Sequence, residues 1–422
     1  MFTQTTQNQS SDESLSSCHD DVPERRLARC GRAALHQLSA KWRLIQHDSS
    51  DQRERANATP SGSSLRCGRA ALRFSRPLVS VVCLFVFGFT VSTWDRRTLA
   101  NDDAVVDANS AVSTGRWQTL ETKGKPTARH ETTFVNHDGK FYLIGGRESR
   151  QIDRFDPDSS VWDTMSVTTP LIHHFQSVVW NNKIYIVGAM TGKYPKEPPM
   201  ENVQIYDPIS DAWTIGDPIP EDRRRGGAGT AIYNGKIYMA CGITLGHTSG
   251  TNNWFDEYDP ATGQWKRLPD APHIRDHFHA VVVGDKFYCI GGRNTSLHTP
   301  QFGAFFGATE TAVDVYDFQS GTWSTLEDAP LPIGTAAGGV VAIAGKIIYF
   351  GGETAETAVA NSWMLDPETA SWTRLANMQQ GRHGSQAVVH NGRIYIACGS
   401  PKRGGGTLSG VEVFSPSSES KK

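Results

Sequence analysis

Several things this chain has little of narrow what it can be. Seven cysteines in 422 residues is an odd count, and no two of them stand at zinc-site spacing, so neither a disulfide framework nor a zinc module is expected. Four of them (Cys18, Cys30, Cys67, Cys83) lie in the first hundred residues. Cys241, Cys289 and Cys398 each fall in an apolar strand, where a thiol acts as a small buried hydrophobe. Charge of one sign is also missing. The formal net charge is -2, which gives no footprint for nucleic acid or an anionic membrane surface. There is no glycine-rich phosphate loop, Cys-x-x-Cys pair or nucleophile elbow.

Residues 1–76 lack sustained hydrophobic periodicity and are rich in Ser, Arg, Gln and Asp. They are expected to be a disordered polar and basic tail, in which the heptapeptide RCGRAAL occurs twice. Residues 77–94, PLVSVVCLFVFGFTVSTW, carry no charge. As helix, eighteen residues reach roughly 27 Å against a hydrocarbon core of about 30 Å. Arg66, Arg69, Arg73 and Arg76 precede this segment, which places the N-terminus in the cytoplasm and the rest on the far side. The segment reads either as an uncleaved signal anchor, making a single-pass membrane protein, or as part of a cleavable signal peptide over 73–100. Both readings export the C-terminal remainder of the chain to a secreted, periplasmic or luminal location. Residues 95–112 are a linker and 417–422 a second short tail.

What is abundant is glycine (40) and tryptophan (11), arranged in a repeat of about fifty residues. Each unit has an apolar strand, a tight turn, a second apolar strand ending in two small residues, a variable loop, an aromatic-Asp-Pro strand and a Trp strand. The turns are DGK at 138–140, NNK at 181–183, NGK at 234–236, GDK at 284–286, AGK at 344–346 and NGR at 391–393. These are two-residue hairpin chemistries. The small doublets are Gly145-Gly146, Gly188-Ala189, Cys241-Gly242, Gly291-Gly292, Gly351-Gly352 and Cys398-Gly399. The third strands carry Phe155-Asp156-Pro157, Tyr206-Asp207-Pro208, Tyr258-Asp259-Pro260, Tyr316-Asp317 and Leu365-Asp366-Pro367. The tryptophans are Trp117, Trp162, Trp213, Trp265, Trp323 and Trp372.

This pattern resembles the kelch repeat family over about 300 residues, which implies an all-β, six-bladed β-propeller spanning 113–416. A four-stranded sheet with two apolar faces must stack on neighbours, and radial repetition provides them. The last doublet has no Trp strand after it, and Trp117 precedes the first doublet. The N-terminal strand around Trp117 is therefore expected to complete the sheet that begins near His383, leaving a monomeric closed ring.

Strand direction places the loops after the doublets, and the starts of the innermost strands, on one face around the central channel. Eleven residues before the basic turn residue stand Arg129, Ile172, Arg225, Arg275, Thr335 and Arg382. Ten before are His130, His173, Gly226, Asp276, Ala336 and His383; nine before are Glu131, His174, Gly227, His277, Ala337 and Gly384. Four arginines at one repeat position imply a ring of planar forks suited to carboxylates or phosphates. The competing reading pairs them with carboxylates of their own blades. Loop aromatics (Tyr194, Trp254, Phe302, Phe305, Phe306) and His247 overhang the same face, and a sugar ring offers aromatics an apolar side.

The expected ligand site is Arg129, His130, Glu131, His173, His174, Arg225, Arg275, Asp276, His277, Arg382 and His383, taking an anionic or carbohydrate ligand or a protein partner. Binding is the first expectation. Catalysis comes second, because adjacent strand residues such as His130 and Glu131, or Asp276 and His277, point to opposite sides. His173, His174, His277, His279 and His383 are the imidazoles that a metal could gather, but nothing in the sequence puts them on one side; no metal and no cofactor is assigned. Similarity to the exported sialic-acid mutarotases implies sugar epimerase or mutarotase chemistry as the alternative function. The galactose oxidase-like group needs a Tyr–Cys cross-link that does not map here. The adaptor kelch domains of ubiquitin ligases come after a BTB domain, for which residues 1–116 are too short and too polar.

Overall fold

The two-residue turns act as the sequence requires. In the computed structural model both central residues have positive φ in five of them (Asp138-Gly139, Asn181-Asn182, Asn234-Gly235, Ala344-Gly345, Asn391-Gly392). In the GDK turn only Gly284 does, as a type II′ turn demands. The structure describes residues 115–417. The expected tail, hydrophobic segment and linker over 1–112 lie outside the described residues, as does the short tail beyond 417.

Each turn seeds a four-stranded antiparallel meander, and six such sheets form. The first blade consists of Thr132–His137, Lys140–Gly145, Gln151–Asp156 and Val161–Thr168. The sixth combines Ala387–His390, Arg393–Ala397 and Val411–Ser415 with the N-terminal strand Arg116–Leu120, in the register Trp117 opposite Phe414. The N-terminal closure expected from the spare tryptophan is thus present.

Other repeat residues find their purpose here. The turn lysine reaches the third-strand aspartate of its own blade: Lys140 to Asp156 at 2.8 Å, Lys183 to Asp207 at 3.0 Å, Lys346 to Asp366 at 2.8 Å. The same aspartates accept backbone N–H groups two and three residues on, which fixes the turn into the Trp strand. The tryptophans pack on the third-strand aromatics, with ring centroids 4.9 Å apart for Trp162–Phe155 and 5.3 Å for Trp213–Tyr206.

Six apolar clusters each join two neighbouring blades, including one that links Trp117 and Phe414 to Phe350 and one that links Phe134 and Phe141 to Tyr395. The small doublets let blades dock. Gly146 N–H donates to Ile172 O, Gly242 to Arg275 O, Gly292 to Thr335 O and Gly352 to Arg382 O, and Gly399 to Arg129 O closes the circle. A Cβ on Gly351 would stand 2.5 Å from the Arg382 carbonyl, so only glycine admits the next blade there. Cys241, Cys289 and Cys398 are buried free thiols at these junctions.

Candidate functional site

The arginines of the repeat are the first correction. Arg129, Arg225, Arg275 and Arg382 are all buried, with at most 3% exposed. Each guanidinium meets a carboxylate on the third strand of its own blade: Arg129 with Asp153, Arg225 with Asp256 (2.8 Å), Arg275 with Asp314 (2.5 Å), Arg382 with Glu412 (2.5 Å). Remaining N–H groups donate to carbonyls of the doublets and strands, such as Gly291 and Ala312 from Arg275. They lock the entry of the innermost strand to the third strand and present no fork to the channel. The sequence contains the signal. Asp153, Asp256, Asp314 and Glu412 hold one repeat position, and the blades with Ile172 and Thr335 in place of arginine have Gln204 and Trp363 there.

The next positions do reach the axis. Glu131, His174, Gly227, His277, Ala337 and Gly384 all have positive φ, between 52° and 70°. Their backbones are linked around the channel, with Gly227 N–H donating to His174 O, Ala337 to His277 O, Gly384 to Ala337 O and Thr132 to Gly384 O. This left-handed kink breaks the alternation of a strand, and it is why Asp276 and His277 meet: His277 Nδ1 lies 2.5 Å from Asp276 Oδ1. Below the kink, Gln176 and Gln386 bridge strand edges of neighbouring blades, and His279 Nδ1 contacts Gly338 O.

Three further candidate residues come directly after doublets. Arg147, Arg293 and Glu353 occupy the position held elsewhere by Met190, Ile243 and Ser400. With His130, Glu131, Tyr194, His247, Phe306 and His383 they line a cavity of about 240 Å³ at the channel mouth. Arg147 donates to Glu197 (2.6 Å) and to His174 Nε2 (3.1 Å). Arg293 pairs with Glu353 and lies over the faces of Phe305 (4.9 Å) and Phe306 (5.1 Å). His383 Nε2 is 3.5 Å from Glu353 on the other side. The strands Lys236–Leu245 and Ser249–Asp259 run on past their sheet as a long hairpin, and its tip carries His247 over the axis. There its backbone N–H is held by Pro195 O and its Nδ1 donates to Glu197 at 2.8 Å.

Of the expected site residues, the structure therefore brings His130, Glu131, His173, His174, Asp276, His277 and His383 to the axis and withdraws the four arginines into the blades. Burial and the guanidinium of Arg147 push His173 down to about 4 and His174 well below the usual imidazole range. Burial likewise lowers His247 to about 4, although the bond to Glu197 opposes it, and lowers His130 and His383. Burial raises the Glu131 carboxyl, but His277, His130, Arg147 and His383 outweigh it and hold that group well below the carboxylate range. At Glu197 burial is outweighed by His247 and Arg147, and the value falls to about 2.

Comparison with known proteins points to the same fold. The family model of the Attractin/LZTR1 beta-propeller matches residues 97–338 and that of the Kelch motif residues 335–379. Kelch-like protein terF of Aspergillus terreus is 29% identical over 345 residues, covering 79% of this chain and 62% of its own. Kelch-like protein 23 of Pongo abelii is 27% identical over 294 residues, 68% of this chain and 48% of its own. Alpha-scruin of Limulus polyphemus is 28% identical over 206 residues, 46% and 21%. The chain thus spans about three fifths of the first of these relatives and half or less of the others. The solved structure of YjhT superposes with a TM-score of 0.58 over 71% of this chain and 96% of that one, at 18% identity, which shows the fold.

Proposed function

The chain belongs to the kelch-repeat β-propeller family, and on that premise we propose that it is a binding module holding a hydroxyl-rich, carbohydrate-like ligand at the mouth of its channel. One observation carries the reading: a cavity of about 240 Å³ lined by charged and imidazole side chains together with the rings of Tyr194 and Phe306, of which Tyr194 is more than half exposed. Exposed rings beside hydrogen-bonding groups suit a sugar, with one apolar face to stack and hydroxyls to pair.

Charge supports one of the two ligand classes that the sequence suggests over the other. Glu131 and Glu353 line the cavity, with Glu197 and Asp276 directly behind, and these face the guanidiniums of Arg147 and Arg293. Both guanidiniums already have carboxylate partners, so the excess is of acceptors. Hydroxyl donors are favoured over a further anion. A second reading, anomer or epimer interconversion, draws on ionised Glu131 beside His130 and on the His383–Glu353 pair as base and acid. The uncharged segment 77–94 and the arginines before it support export of the module, which protease protection of sealed membranes from expressing cells tests. Loss of the propeller to external protease on the cytoplasmic side would end that part of the proposal.

The test of binding is a glycan array, then calorimetry on the full chain. The expected result is a saccharide ligand whose affinity falls at least about tenfold in Tyr194→Ala, as for a lost stacking contact. Binding that ignores Tyr194→Ala, or no glycan bound by a folded chain, moves the ligand from the mouth to the outer loops and a protein partner. A rate of anomer exchange with a bell-shaped pH profile would select the second reading.

A further inference from the structure

Beneath the mouth, three imidazoles from three different blades converge on the channel axis. The ring centroids of His174 and His277 are 4.7 Å apart, those of His247 and His277 4.9 Å, and those of His174 and His247 5.2 Å. One ring nitrogen from each lies within 4.8 Å of the other two. All three side chains are buried.

Their partners fix which nitrogen is free. Carboxylates only accept, so His247 donates from Nδ1 to Glu197 Oε2 and His277 donates from Nδ1 to Asp276 Oδ1. His173 donates from Nε2 to the Gly192 carbonyl, which makes its Nδ1 the acceptor for His174 Nδ1–H at 2.5 Å. Each ring is left with its Nε2 lone pair. On His277 that atom is buried and has no hydrogen-bond partner at all. On His174 it accepts from Arg147, which has a second and shorter bond to Glu197, and it also lies 3.4 Å from Glu131 Oε2. A buried unpartnered nitrogen such as His277 Nε2 costs stability unless something electron-poor meets it.

We propose that His174, His247 and His277 form a three-imidazole site for a divalent transition metal, with zinc as the first candidate. Imidazole nitrogens suit zinc and its neighbours, and a three-histidine set leaves a fourth position for water or a ligand. Glu197 and Asp276 are the carboxylates behind the ligands, one on the distal nitrogen of His247 and one on that of His277, the arrangement that orients metal-bound histidines. Zn–N bonds of about 2.0–2.1 Å put tetrahedral donors roughly 3.3 Å apart, so the rings close by about an ångström on binding. His247 sits on a hairpin tip, an element that can make that adjustment. The site stands on the imidazoles alone and needs no saccharide at the mouth.

The test is a titration of the tag-free full chain, stripped with chelator, using zinc alone against a chromophoric zinc indicator, and cobalt(II) monitored by its visible absorption. One equivalent is expected, with a tetrahedral or five-coordinate cobalt spectrum. His247→Ala and His277→Asn (asparagine tolerates the left-handed backbone at 277) should each lose binding by more than about 100-fold, and Asp276→Asn by about 10–100-fold. Melting of the metal-free variants reports whether they fold, and His247→Ala, being on the hairpin tip, keeps the question open to test if His277→Asn does not. Failure of the stripped chain to outcompete the indicator, or an equivalent retained in His247→Ala, overturns the assignment. Because no sugar is in the titration, a blank glycan array leaves it untouched.

Discussion

Arg275 and Arg293 belong to the same blade, are both buried, and differ in what they hold together. Arg275 sits inside its sheet, bound to Asp314 and to carbonyls of its own blade. Arg293 stands one residue past the small doublet, pairs with Glu353 of the next blade, and borders the channel mouth. The pair Arg129 and Arg147 repeats the contrast in the first blade, with Asp153 and Glu197 as their partners. The repeat therefore has two tiers of arginine. The inner tier recurs in four blades because every blade has the same strand-to-strand seam to fix. The outer tier occurs in two because the channel is one place, and symmetry there would waste positions that a site needs to vary.

Removing an inner-tier partner is the strongest way to break this comparison. Arg275→Ala breaks a fully buried pair and leaves Asp314 with His273 Nδ1 (2.9 Å) and Thr325 Oγ1 (2.7 Å) on its other oxygen only, a change of a kind that typically costs about 3–5 kcal/mol. Arg147→Ala, partly exposed and with buried Glu197 still held by His247, should cost less, about 1–2 kcal/mol. Thermal and urea melts of the two variants check this. Equal losses would collapse the two tiers into one. Paired replacement Arg275→Met with Asp314→Leu should recover much of the loss, since an apolar pair of similar size fits a buried seam.

Acid should separate the same regions. His173, His247 and His279 are each held near 4 by burial, against an ordinary imidazole value of 6.5. Their folded values are depressed, so the stability they support is complete above about pH 6.5 and is lost as pH falls from there toward 4, where the unfolded chain binds more protons. The metal-free propeller should thus lose of order a few kcal/mol between pH 7 and 4.5. His279→Gln should flatten part of that slope. A melting temperature unchanged from pH 7 to 5 would show the axis to be wetter than its geometry implies.

How much of this was legible depends on what each feature rests on. Turns, doublets, third-strand aspartates and tryptophans are local and repeated, so blade number and closure could be read by alignment of the chain with itself. The inner arginines were legible too, but only jointly with Asp153, Asp256, Asp314 and Glu412, since Ile172 and Thr335 lose arginine and carboxylate together. The site is different in kind. His247 reaches the axis through the length of one hairpin, and the Asp276–His277 pair exists because a left-handed backbone at His277 turns both side chains the same way. Neither is a repeat property, and a strand-alternation rule argues against the second.

The smallest effect sharpens the comparison from the side of the scaffold. Five of the six hairpin turns place Asn, Asp or Gly first; the AGK turn places Ala344 there, at a φ of 48°. A left-handed conformation costs an ordinary L-residue roughly 1–2 kcal/mol, while asparagine adopts it by local hydrogen bonding. Ala344→Asn, which makes this turn match the one at Asn234-Gly235, should raise stability by about 0.5–1 kcal/mol and leave the channel mouth, at the far end of the strand, unchanged. Ala337 has the same backbone sign at φ 53° but lies in the axial ring, so Ala337→Asn relieves similar strain while adding a polar side chain beside His277. A blade-end substitution that acts on stability alone, set against an axial one that also changes metal or ligand affinity, would show that the repeat is free to be optimised where it is scaffold and constrained where it is site. If Ala344→Asn altered affinity as much as Ala337→Asn, the division between the two regions would fail.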